Sequence, residues 1–492
     1  MAAASPAHAV FFPFPVQGHV AAALHLAKFL HARGGVRVTF VHSERNRRRV
    51  IRSRGVDALA GAPGFRFAAV PDGLPSDDDD GPPDAPALLF SIGACVPRFK
   101  KILDEAAASG APATCVVSDF DHVLLAAREM GLPAVAFWTT SACGLMASLQ
   151  CKELIDRGII PLKDAEQLSN GYLDSTVVDW VPGMPVDMRL RDFVSFVRTT
   201  DPDDAVLAVV ASTMECLRTA TSAVILNTFD ELEDEVVTAL SRILPPIYTV
   251  GPLPLLTATG HSPPHVVDCG ADPPNTPDLG AAASLWPEDG GCVEWLGRKR
   301  PRSVLYVNFG SIVYLTSTQL VQLAWGLADS GHDFLWVIRD DQAAKVTGML
   351  PSEFMEKTKA KGYLMSWCPQ EAVLRHEAIG AFLTHCGWNS MLEAISNGVP
   401  MLCYPMGADQ QTNCRYACTE WRVGVEVGDN IEREEVTRMV REVMVEEKKG
   451  REMRQRAMEW KENAAKAVVR GGTSWVNLQR LINEVFSPCN SA

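Results

Sequence analysis

The residues best suited to chemistry lie between Trp367 and Gln410, where an aromatic ring, a histidine, small polar residues and an acid–amide pair follow one another. His385 ends an apolar run typical of a buried strand, and Asn389 and Ser390, both favourable N-cap residues, then open a helical stretch. A helix start carries unpaired N–H groups and the positive end of the helix dipole, so it attracts a phosphate or pyrophosphate. An aromatic face for a base, an anion-binding helix start and hydroxyl-binding polar groups together predict a nucleotide-sugar site.

A second candidate centre lies in the first half of the chain. His19 follows the first predicted strand, and Asp119 ends another predicted strand of the same half. In an open α/β sheet both positions fall at the carboxyl ends of strands, on one rim. Histidine is the usual general base near neutral pH, and a carboxylate on its other nitrogen assists it. We therefore predict His19 as a general base with a carboxylate partner, which is either Asp119 or Asp121, since strand alternation sends both to one face.

The elements that must position these residues form two series of alternating strands and helices. The first series begins with the strand HAVFFPFP and the second with SVLYVNFGS. Between them the composition shifts to Pro, Gly, Ala and Asp without periodicity, which predicts a linker or long surface loop. The predicted division is an N-terminal domain over residues 1–252, a linker over 253–291, a C-terminal domain over 292–475 and a C-terminal helix over 476–492.

Composition narrows the class of protein. The 492 residues exceed what one core holds, and 47% hydrophobic with 21% charged residues is typical of a globular protein. A net charge of −13 argues against a nucleic-acid partner. The 13 cysteines show no C-x-x-C spacing, which favours reduced thiols over a disulfide framework or a zinc site. Neither a signal peptide nor a membrane span is evident, so we expect a cytoplasmic protein.

The stretch from Trp367 to Gln410 resembles the signature of plant family-1 UDP-glycosyltransferases, the secondary-product glucosyltransferases with the GT-B fold. The rest of the chain, apart from the linker, is similar to the subgroup acting on cyanohydrins, iridoids and other terpenoid alcohols. This resemblance implies an α/β protein of two Rossmann-like, doubly wound domains facing each other across a cleft. It also implies that the N-terminal domain binds the acceptor, that the last helix returns to it, and that Asp119 is the partner of His19, because Asp119 and not Asp121 matches the family position. The residues that carry the match are Trp367, Pro369, Gln370, His376, Gly380, His385, Gly387, Trp388, Asn389, Ser390, Glu393, Gly398, Pro400, Asp409 and Gln410.

The resemblance also assigns contacts with the donor. Trp367 would stack on the uracil, Cys368 and Gln370 would meet the base and ribose, and Glu393 would accept from the ribose hydroxyls. The implied phosphate contacts are Ser311, His385, Asn389 and Ser390. The implied sugar contacts are Trp388, Asp409 and Gln410 from the second half, with Thr139 and Gly18 from the first.

The predicted reaction is a single displacement on UDP-α-glucose that gives a β-O-glucoside with inversion. The acceptor would be a small lipophilic alcohol or phenol, and Phe14, Phe120 and Trp138 are candidates for the wall that holds it. UDP-glucose is the expected co-substrate, and we expect neither a metal nor another cofactor, since the D-x-D matches lie outside the donor half. In the family that the chain resembles, a glutamine at the end of the signature, here Gln410, favours glucose over other sugars. We expect a monomer.

Three alternatives are left open by the sequence. A sensor that binds a UDP-sugar without catalysis would need the donor residues but not His19 or Asp119. A glycosyltransferase that uses another UDP-sugar would share all of these features. A nucleotide-dependent dehydrogenase or epimerase is disfavoured, because the first turn PVQGHV does not contain the G-x-G-x-x-G loop of a dinucleotide site.

Overall fold

The computed structural model describes residues 6–73, 85–257, 283–340, 342–343, 352–428, 430–445 and 448–486. Most of the predicted linker, residues 258–282, lies outside these ranges. The chain divides into two compact units. The first contains Met1–Trp286 together with Lys466–Ala492, and the second contains Pro287–Ala465.

A parallel sheet of seven strands in the order β3-β2-β1-β4-β5-β6-β7 forms the centre of the first unit. Its strands are short apolar runs buried on both faces, as expected where helices cover both sides of a parallel sheet. The strands are β1 (His8–Phe11), β2 (Arg37–Ser43), β3 (Phe65–Val70), β4 (Cys115–Ser118), β5 (Ala134–Trp138), β6 (Ala223–Leu226) and β7 (Ile247–Thr249).

Helices connect these strands and supply the apolar side chains that cover the sheet. The helices of this part are α1 (Gln17–Gly34), α2 (Glu44–Arg54), α3 (Ala85–Ser91), α4 (Val96–Ala108), α5 (Asp121–Glu129), α6 (Ala142–Leu149), α7 (Cys151–Asp156), α8 (Tyr172–Ser175), α9 (Ala205–Thr219), α10 (Asp230–Leu240) and α11 (Leu253–Thr257). Short 3₁₀ turns cover Val56–Leu59, Ile92–Cys95, Ala165–Leu168, Leu190–Asp192 and Ser195–Val197.

The second unit contains a parallel sheet of six strands in the order β10-β9-β8-β11-β12-β13. Its strands are β8 (Val304–Asn308), β9 (Asp333–Val337), β10 (Gly362–Met365), β11 (Ile379–Thr384), β12 (Met401–Cys403) and β13 (Gly424–Glu426). The helices that follow α11 in the chain are α12 (Gly291–Leu296), α13 (Ser317–Ser330), α14 (Ser352–Thr358), α15 (Gln370–Arg375), α16 (Trp388–Asn397), α17 (Gln410–Thr419), α18 (Arg433–Met444), α19 (Lys448–Val468) and α20 (Thr473–Val485).

Each sheet has a point where the strand order reverses, between β1 and β4 in the first unit and between β8 and β11 in the second. Loops that leave neighbouring strands at such a point run in opposite directions, and the crevice between them is where ligands bind in open α/β sheets. The prediction of two doubly wound α/β halves is therefore confirmed. One local detail differs, because His19 lies in the first turn of α1 and not in a loop before it.

The last helix, α20, packs on the first unit. Leu478 and Leu481 are fully buried in the core of that unit. The Ser474 hydroxyl donates to the carbonyl of Gly251 at 2.5 Å. Apolar burial and hydrogen bonds to the segment after β7 thus hold the end of the chain in place.

Replacing Leu481 by alanine is expected to lower the free energy of unfolding of the first unit by about 2–5 kcal/mol, because it opens a cavity in a packed core. Val476 on the same helix is 46% exposed, so Val476→Ala should change this quantity by less than about 0.5 kcal/mol. Urea unfolding of the two variants beside the wild type measures the difference. Equal stabilities for both variants would contradict the placement of α20.

Candidate active site

His19 and Asp119 meet at the reversal point of the first sheet. His19 follows β1 and Asp119 follows β4, and the distance from His19 Nδ1 to Asp119 Oδ2 is 2.5 Å. The second carboxylate oxygen of Asp119 accepts from the backbone N–H of Phe14 at 2.7 Å. The Asp119 side chain is 3% exposed and that of His19 is 31% exposed. A buried, fixed carboxylate thus engages Nδ1, so Nε2 is the ring nitrogen left to exchange a proton with a substrate.

Thr139 is a third member of this group. It follows β5, is buried, and its Oγ1 lies 2.8 Å from His19 Nδ1 and 3.3 Å from Asp119 Oδ2. The sequence assigned Thr139 and Gly18 to the donor, and the structure places both in the first unit, with Gly18 immediately before His19 in α1. In this unit the hydroxyl of Thr139 stabilises the histidine–carboxylate pair.

Asp121, the alternative partner, is engaged elsewhere. It opens α5, its Oδ1 lies 2.7 Å from His122 Nδ1, and its Oδ2 accepts from the Ser212 hydroxyl at 3.0 Å. Burial alone would raise the pKa of Asp121, but the bonds from His122 and Ser212 hold this pKa below its usual value. The geometry therefore favours Asp119 as the residue that acts on His19.

The three predicted acceptor-wall residues differ in their surroundings. The Phe14 ring lies edge-on to the His19 ring, with 5.6 Å between centroids, and is only partly buried. Phe120 is buried and packs between Phe12 and Phe14, as a core residue does. Trp138 ends β5, and its indole N–H is buried without a hydrogen-bond acceptor among the described residues. Of the three rings, Phe14 is therefore the best candidate for contact with an acceptor, because it is partly exposed and lies next to His19.

In the second unit, a tight turn follows β8. Asn308 ends the strand, and its side-chain oxygen accepts from the backbone N–H of Gly310 at 2.9 Å. Gly310 has a φ of +72°, and a Cβ at this position would lie 2.7 Å from Cε1 of His385. Both the backbone angle and the close ring require glycine here. The turn therefore brings Gly310, the residue before Ser311, against His385, which follows β11 at the other side of the reversal point.

Arg339, which was not among the predicted site residues, holds this turn through hydrogen bonds to its carbonyl groups. Its side chain is buried, and Nη1 donates to the carbonyls of Gly310 at 3.2 Å and Val313 at 2.9 Å. A buried guanidinium also places a permanent positive charge near the predicted phosphate position. The isolated arginine after strand β9 gave no pattern by which sequence analysis would have found it.

His385 is neutral at neutral pH in this environment. Burial lowers its pKa to about 4, and the charge of Arg339 acts in the same direction, while the backbone of Asn308 opposes them. Its Nδ1 is buried without a hydrogen-bond partner among the described residues. A contact with a phosphate would therefore be a hydrogen bond from a neutral ring and not an ion pair.

The helix start predicted to bind an anion is α16. Its N-cap is Gly387, so Asn389 and Ser390 lie inside the first turn and neither is the cap, which corrects the expected register. A Cβ on Gly387 would lie 2.5 Å from Nε2 of His385, so the loop needs glycine for a close approach. Trp388 as a whole is only 3% exposed, so its ring is buried.

Gln370 connects the two sides of this site. Its Oε1 accepts from the Tyr306 hydroxyl at 3.0 Å and from the Asn308 amide at 2.9 Å. Its Nε2 donates to the Ser390 hydroxyl at 2.9 Å and to a Glu393 oxygen at 3.0 Å. The sequence assigned Gln370 to the base and ribose, whereas here its amide links β8 to α16. Tyr306 and Asn308 are two positions apart in β8, so their side chains lie on the same face of the sheet. Two polar groups on one face of an otherwise apolar strand are the sequence feature that could have identified these residues.

The carboxyl group of Glu393 has a raised pKa. Burial raises the pKa of Glu393 to about 8, and the like charge of Glu371 adds to this, while the bond from Gln370 acts in the opposite direction. At neutral pH the group therefore holds a proton until hydrogen-bond donors approach it. Sugar hydroxyls are donors of that kind.

Trp367 and Cys368 follow β10 and precede α15. Trp367 is half-buried, and its carbonyl accepts from the backbone N–H of Asp289 at 3.0 Å. The Cys368 thiol is buried, with its sulfur 3.2 Å from the Tyr306 hydroxyl. The side chain of Cys368 is thus turned into the protein, so a ligand would meet only its backbone.

The predicted sugar-binding pair lies in the loop after β12. The side-chain oxygen of Gln410 accepts from the backbone N–H groups of Met406 at 2.8 Å and Gly407 at 3.0 Å. One Asp409 oxygen accepts from the side-chain amide of Asn413 at 2.8 Å. The loop is therefore held by its own polar groups in a defined shape.

Backbone strain accompanies these loops. Four non-glycine residues in the described ranges have a positive φ, and two of them, Cys386 at +65° and Ala408 at +55°, lie here. The amide of Asn413 donates to the carbonyl of Cys386 at 3.0 Å, which connects the two loops. Such conformations cost on the order of 1–3 kcal/mol each and persist where the surrounding structure maintains them, often at functional sites.

Comparison with known proteins now identifies the chain's relatives. Residues 286–459 match a family model described as UDP-glucoronosyl and UDP-glucosyl transferase. The chain is 48% identical to 7-deoxyloganetin glucosyltransferase of Gardenia jasminoides, over 98% of each chain. It is 47% identical to (R)-mandelonitrile beta-glucosyltransferase of Prunus dulcis, over 97% of each, and 46% identical to linamarin synthase 1 of Manihot esculenta, over 98% of this chain and 97% of the relative.

Solved structures give the same result. Os79 of O. sativa in complex with UDP superposes with a TM-score of 0.76 at 27% identity, covering 97% of this chain and 99% of that one. Phytolacca americana UGT2, complexed with UDP-2fluoro-glucose and pterostilbene, gives 0.77 at 26% identity, covering 98% and 99%. No helix in the described ranges is long and apolar enough to cross a membrane. The predicted resemblance is confirmed, and the chain belongs to the UDP-glucoronosyl and UDP-glucosyl transferase family, among its plant GT-B glucosyltransferases.

Proposed function

We propose that this enzyme transfers glucose from UDP-glucose to a hydroxyl group of a small lipophilic metabolite, with His19 as the general base. One observation carries the proposal, namely the 2.5 Å contact between His19 Nδ1 and the buried carboxylate of Asp119 at the reversal point of the sheet. A protein that only bound a UDP-sugar would have no use for this pair. The relatives that are named as glucosyltransferases support the same reaction.

The proposed reaction is a single displacement. Nε2 of His19 removes the proton of the acceptor hydroxyl as its oxygen forms a bond to C1 of glucose. The bond between C1 and the UDP oxygen breaks on the opposite face, so the α-linked donor yields a β-glucoside. The imidazolium that forms is stabilised by Asp119, whose Oδ2 stays bound to Nδ1.

The second unit supplies groups for each part of the donor. The partly buried ring of Trp367 suits stacking on uracil, and Glu393 suits the ribose hydroxyls. The first turn of α16 offers N–H groups and its dipole to the diphosphate. The side chains that complete the proposed donor site are Ser311, Ser390, Asp409 and Gln410.

We infer that the departing diphosphate is stabilised without a divalent cation. Mg²⁺ in nucleotide sites is usually held by one or two carboxylates together with the substrate phosphates, and none of the side chains proposed for the diphosphate, Ser311, His385, Asn389 and Ser390, is a carboxylate. The buried Arg339 and the N-terminus of α16 provide positive potential instead. His385 would add a neutral hydrogen bond.

The acceptor class follows from the relatives and from the surroundings of His19. 7-Deoxyloganetin and mandelonitrile, in the names of two relatives, are small molecules with a hydroxyl on a largely apolar body. Phe14, partly exposed and edge-on to His19, would contact such a body. We propose small lipophilic alcohols, cyanohydrins and phenols as acceptors.

Incubation of the purified protein with UDP-glucose and a pooled set of such alcohols and phenols tests the function. Mass spectrometry is expected to detect hexose adducts that disappear with His19→Ala. UDP-galactose and UDP-xylose in parallel reactions measure the preference for glucose. Binding of UDP-glucose without any adduct or UDP release would favour the sensor and contradict the proposal.

The raised pKa of Glu393 predicts a pH dependence of donor binding. Ribose hydroxyls donate to the ionised carboxylate, so binding lowers this pKa and releases a proton. The affinity for UDP-glucose is therefore expected to rise as the pH increases from 6 toward 8 and then level off, by up to about tenfold per pH unit. UDP-glucose has no terminal phosphate that titrates in this range. Calorimetry in two buffers at each pH measures the affinity and the proton release, and Glu393→Gln should remove both effects.

Replacing Gln370 by alanine is expected to raise KM for UDP-glucose by about 10–100-fold, because Ser390 and Glu393 each lose a buried hydrogen bond of about 0.5–1.5 kcal/mol. Tyr306→Phe removes one bond to Oε1 of this amide, together with the contacts of the hydroxyl with Asn308 and Cys368, but it leaves the bonds to Ser390 and Glu393 in place and should have a smaller effect. Steady-state kinetics at saturating acceptor separates the two. An unchanged KM for UDP-glucose in Gln370→Ala would contradict the proposal that this amide positions Ser390 and Glu393.

A further inference from the structure

Four cysteines from three separate segments of the chain come together in the second unit. The sulfur atoms of Cys386, Cys403 and Cys414 all lie within 4.8 Å of one another, and all three residues are buried. Cys418 lies one turn after Cys414 on α17, with 4.0 Å between their sulfur atoms. The three chain segments involved are the loop after β11, the end of β12 and α17. In the described ranges no other group of three or more potential metal ligands is as close.

We propose that Cys386, Cys403, Cys414 and Cys418 form a binding site for one thiophilic d¹⁰ cation, such as Zn²⁺ or Cd²⁺. Zinc binds four thiolates tetrahedrally at about 2.3 Å, which separates the sulfur atoms by about 3.8 Å. The 4.0 Å pair on α17 is already near that value, and the three separations among Cys386, Cys403 and Cys414 need to shorten by no more than about 1 Å. Soft sulfur ligands select such cations over Mg²⁺ or Ca²⁺.

Binding is a proton-for-metal exchange at the four sulfur atoms. Each thiol loses its proton to solvent as a sulfur–metal bond forms, so one divalent cation and four thiols give a tetrathiolate complex and four protons. No oxidant or reductant takes part. Uptake should therefore become stronger as the pH rises.

The cluster has a route to solvent and a connection to the proposed donor site. Cys418 is partly exposed, whereas the other three thiols are buried, so a cation would enter past Cys418. The carbonyl of Cys386 accepts from the side chain of Asn413, which also donates to Asp409. Movement of Cys386 toward a bound cation would thus strain the loop that holds Asp409.

This connection predicts that an occupied cluster inhibits transfer, a consequence that rests on the proposed function. We expect Zn²⁺ to lower the rate of the wild type and to have less effect on Cys403→Ala. The equal inhibition of both proteins would show that zinc acts through UDP-glucose and would overturn this consequence. Metal binding itself needs no catalysis, so it is tested separately.

The binding test uses the full chain with Cys269 and Cys489, which lie outside the described ranges, replaced by serine. This replacement prevents their thiols from contributing to cadmium binding. Cadmium is titrated into the reduced protein, and the ultraviolet thiolate-to-cadmium band and equilibrium dialysis give affinity and stoichiometry. One equivalent per chain is expected, with competition by Zn²⁺. Cys403→Ala should weaken binding by about tenfold or more, since it removes a ligand.

Two further variants keep the test independent of folding. Cys418→Ala changes a partly exposed residue and should also weaken cadmium binding by about tenfold or more, with an unchanged melting temperature of the metal-free protein. Cys115→Ala removes a buried thiol from β4 in the first unit and should leave cadmium binding unchanged. The proposal would be overturned if the wild type showed no thiolate band. It would also be overturned if the bands of Cys403→Ala and Cys418→Ala were as large as that of the wild type.

Discussion

Replacing His19 by alanine is expected to lower kcat by about 10²–10⁴-fold, the usual contribution of a general base, because the acceptor hydroxyl then loses the positioned group that takes its proton. The affinity for UDP-glucose should stay within about twofold, since the proposed donor contacts lie mostly in the second unit. Initial rates with an alkyl alcohol measure the loss. Phenols, which ionise more easily, should lose less than alkyl alcohols.

His25 provides a matched control for this substitution, because it lies on the same helix α1 but outside the histidine–carboxylate pair. His25→Ala should keep wild-type kcat. A His19→Ala enzyme with full turnover on an alkyl alcohol would exclude His19 as the base. A loss of similar size on phenols and alkyl alcohols would indicate a structural role for His19.

Replacing Asp119 by asparagine is expected to lower kcat on the order of 10²-fold. The amide cannot stabilise the imidazolium, and its NH₂ group competes with the Nδ1–H donor of His19, which disturbs the tautomer. The backbone N–H of Phe14 can still donate to the amide oxygen, so the fold should survive. KM for UDP-glucose should change little. Steady-state kinetics across pH 6–9 measures the effect.

Asp121→Asn is the control for this carboxylate. Asp121 lies two residues further along the chain and contacts His122 and Ser212, so its loss should leave kcat nearly unchanged. If Asp121→Asn reduced kcat as much as Asp119→Asn, or if Asp119→Asn kept the wild-type pH profile, Asp119 would not be the partner of His19. A change in KM alone would likewise contradict the assigned role.

In the second unit, the motif between Trp367 and Gln410 predicted the secondary structure well. The predicted strand that His385 ends and the predicted helix that Asn389 and Ser390 open correspond to β11 and α16, with only small differences in their bounds. The register of the helix start was less accurate, because Gly387 and not a polar side chain caps α16. Glycine was selected there by the close His385 ring, a contact between residues that no local propensity describes.

Residues that support the motif from outside it were harder to predict. Arg339 and Tyr306 lie on or after other strands, and their roles depend on which strands are neighbours. The hydrogen bonds of Gln370 likewise depend on the packing of β8 beside α16. Sequence spacing predicts which face of a sheet a residue lies on and which residues lie at the carboxyl ends of the strands. It does not predict which side chains at that edge are long enough to form a hydrogen bond with one another.

The sequence by itself determined the two α/β halves, the donor motif and the pairing hypothesis for His19, because periodicity, turn residues and motif spacing are local properties. Only the tertiary structure decided that Asp119 and not Asp121 reaches His19, since the two partners are 100 positions apart and a sheet brings them together. It alone also gathered four scattered cysteines into one cluster. Side-chain contacts of this kind depend on strand order and helix packing, which a chain acquires only on folding.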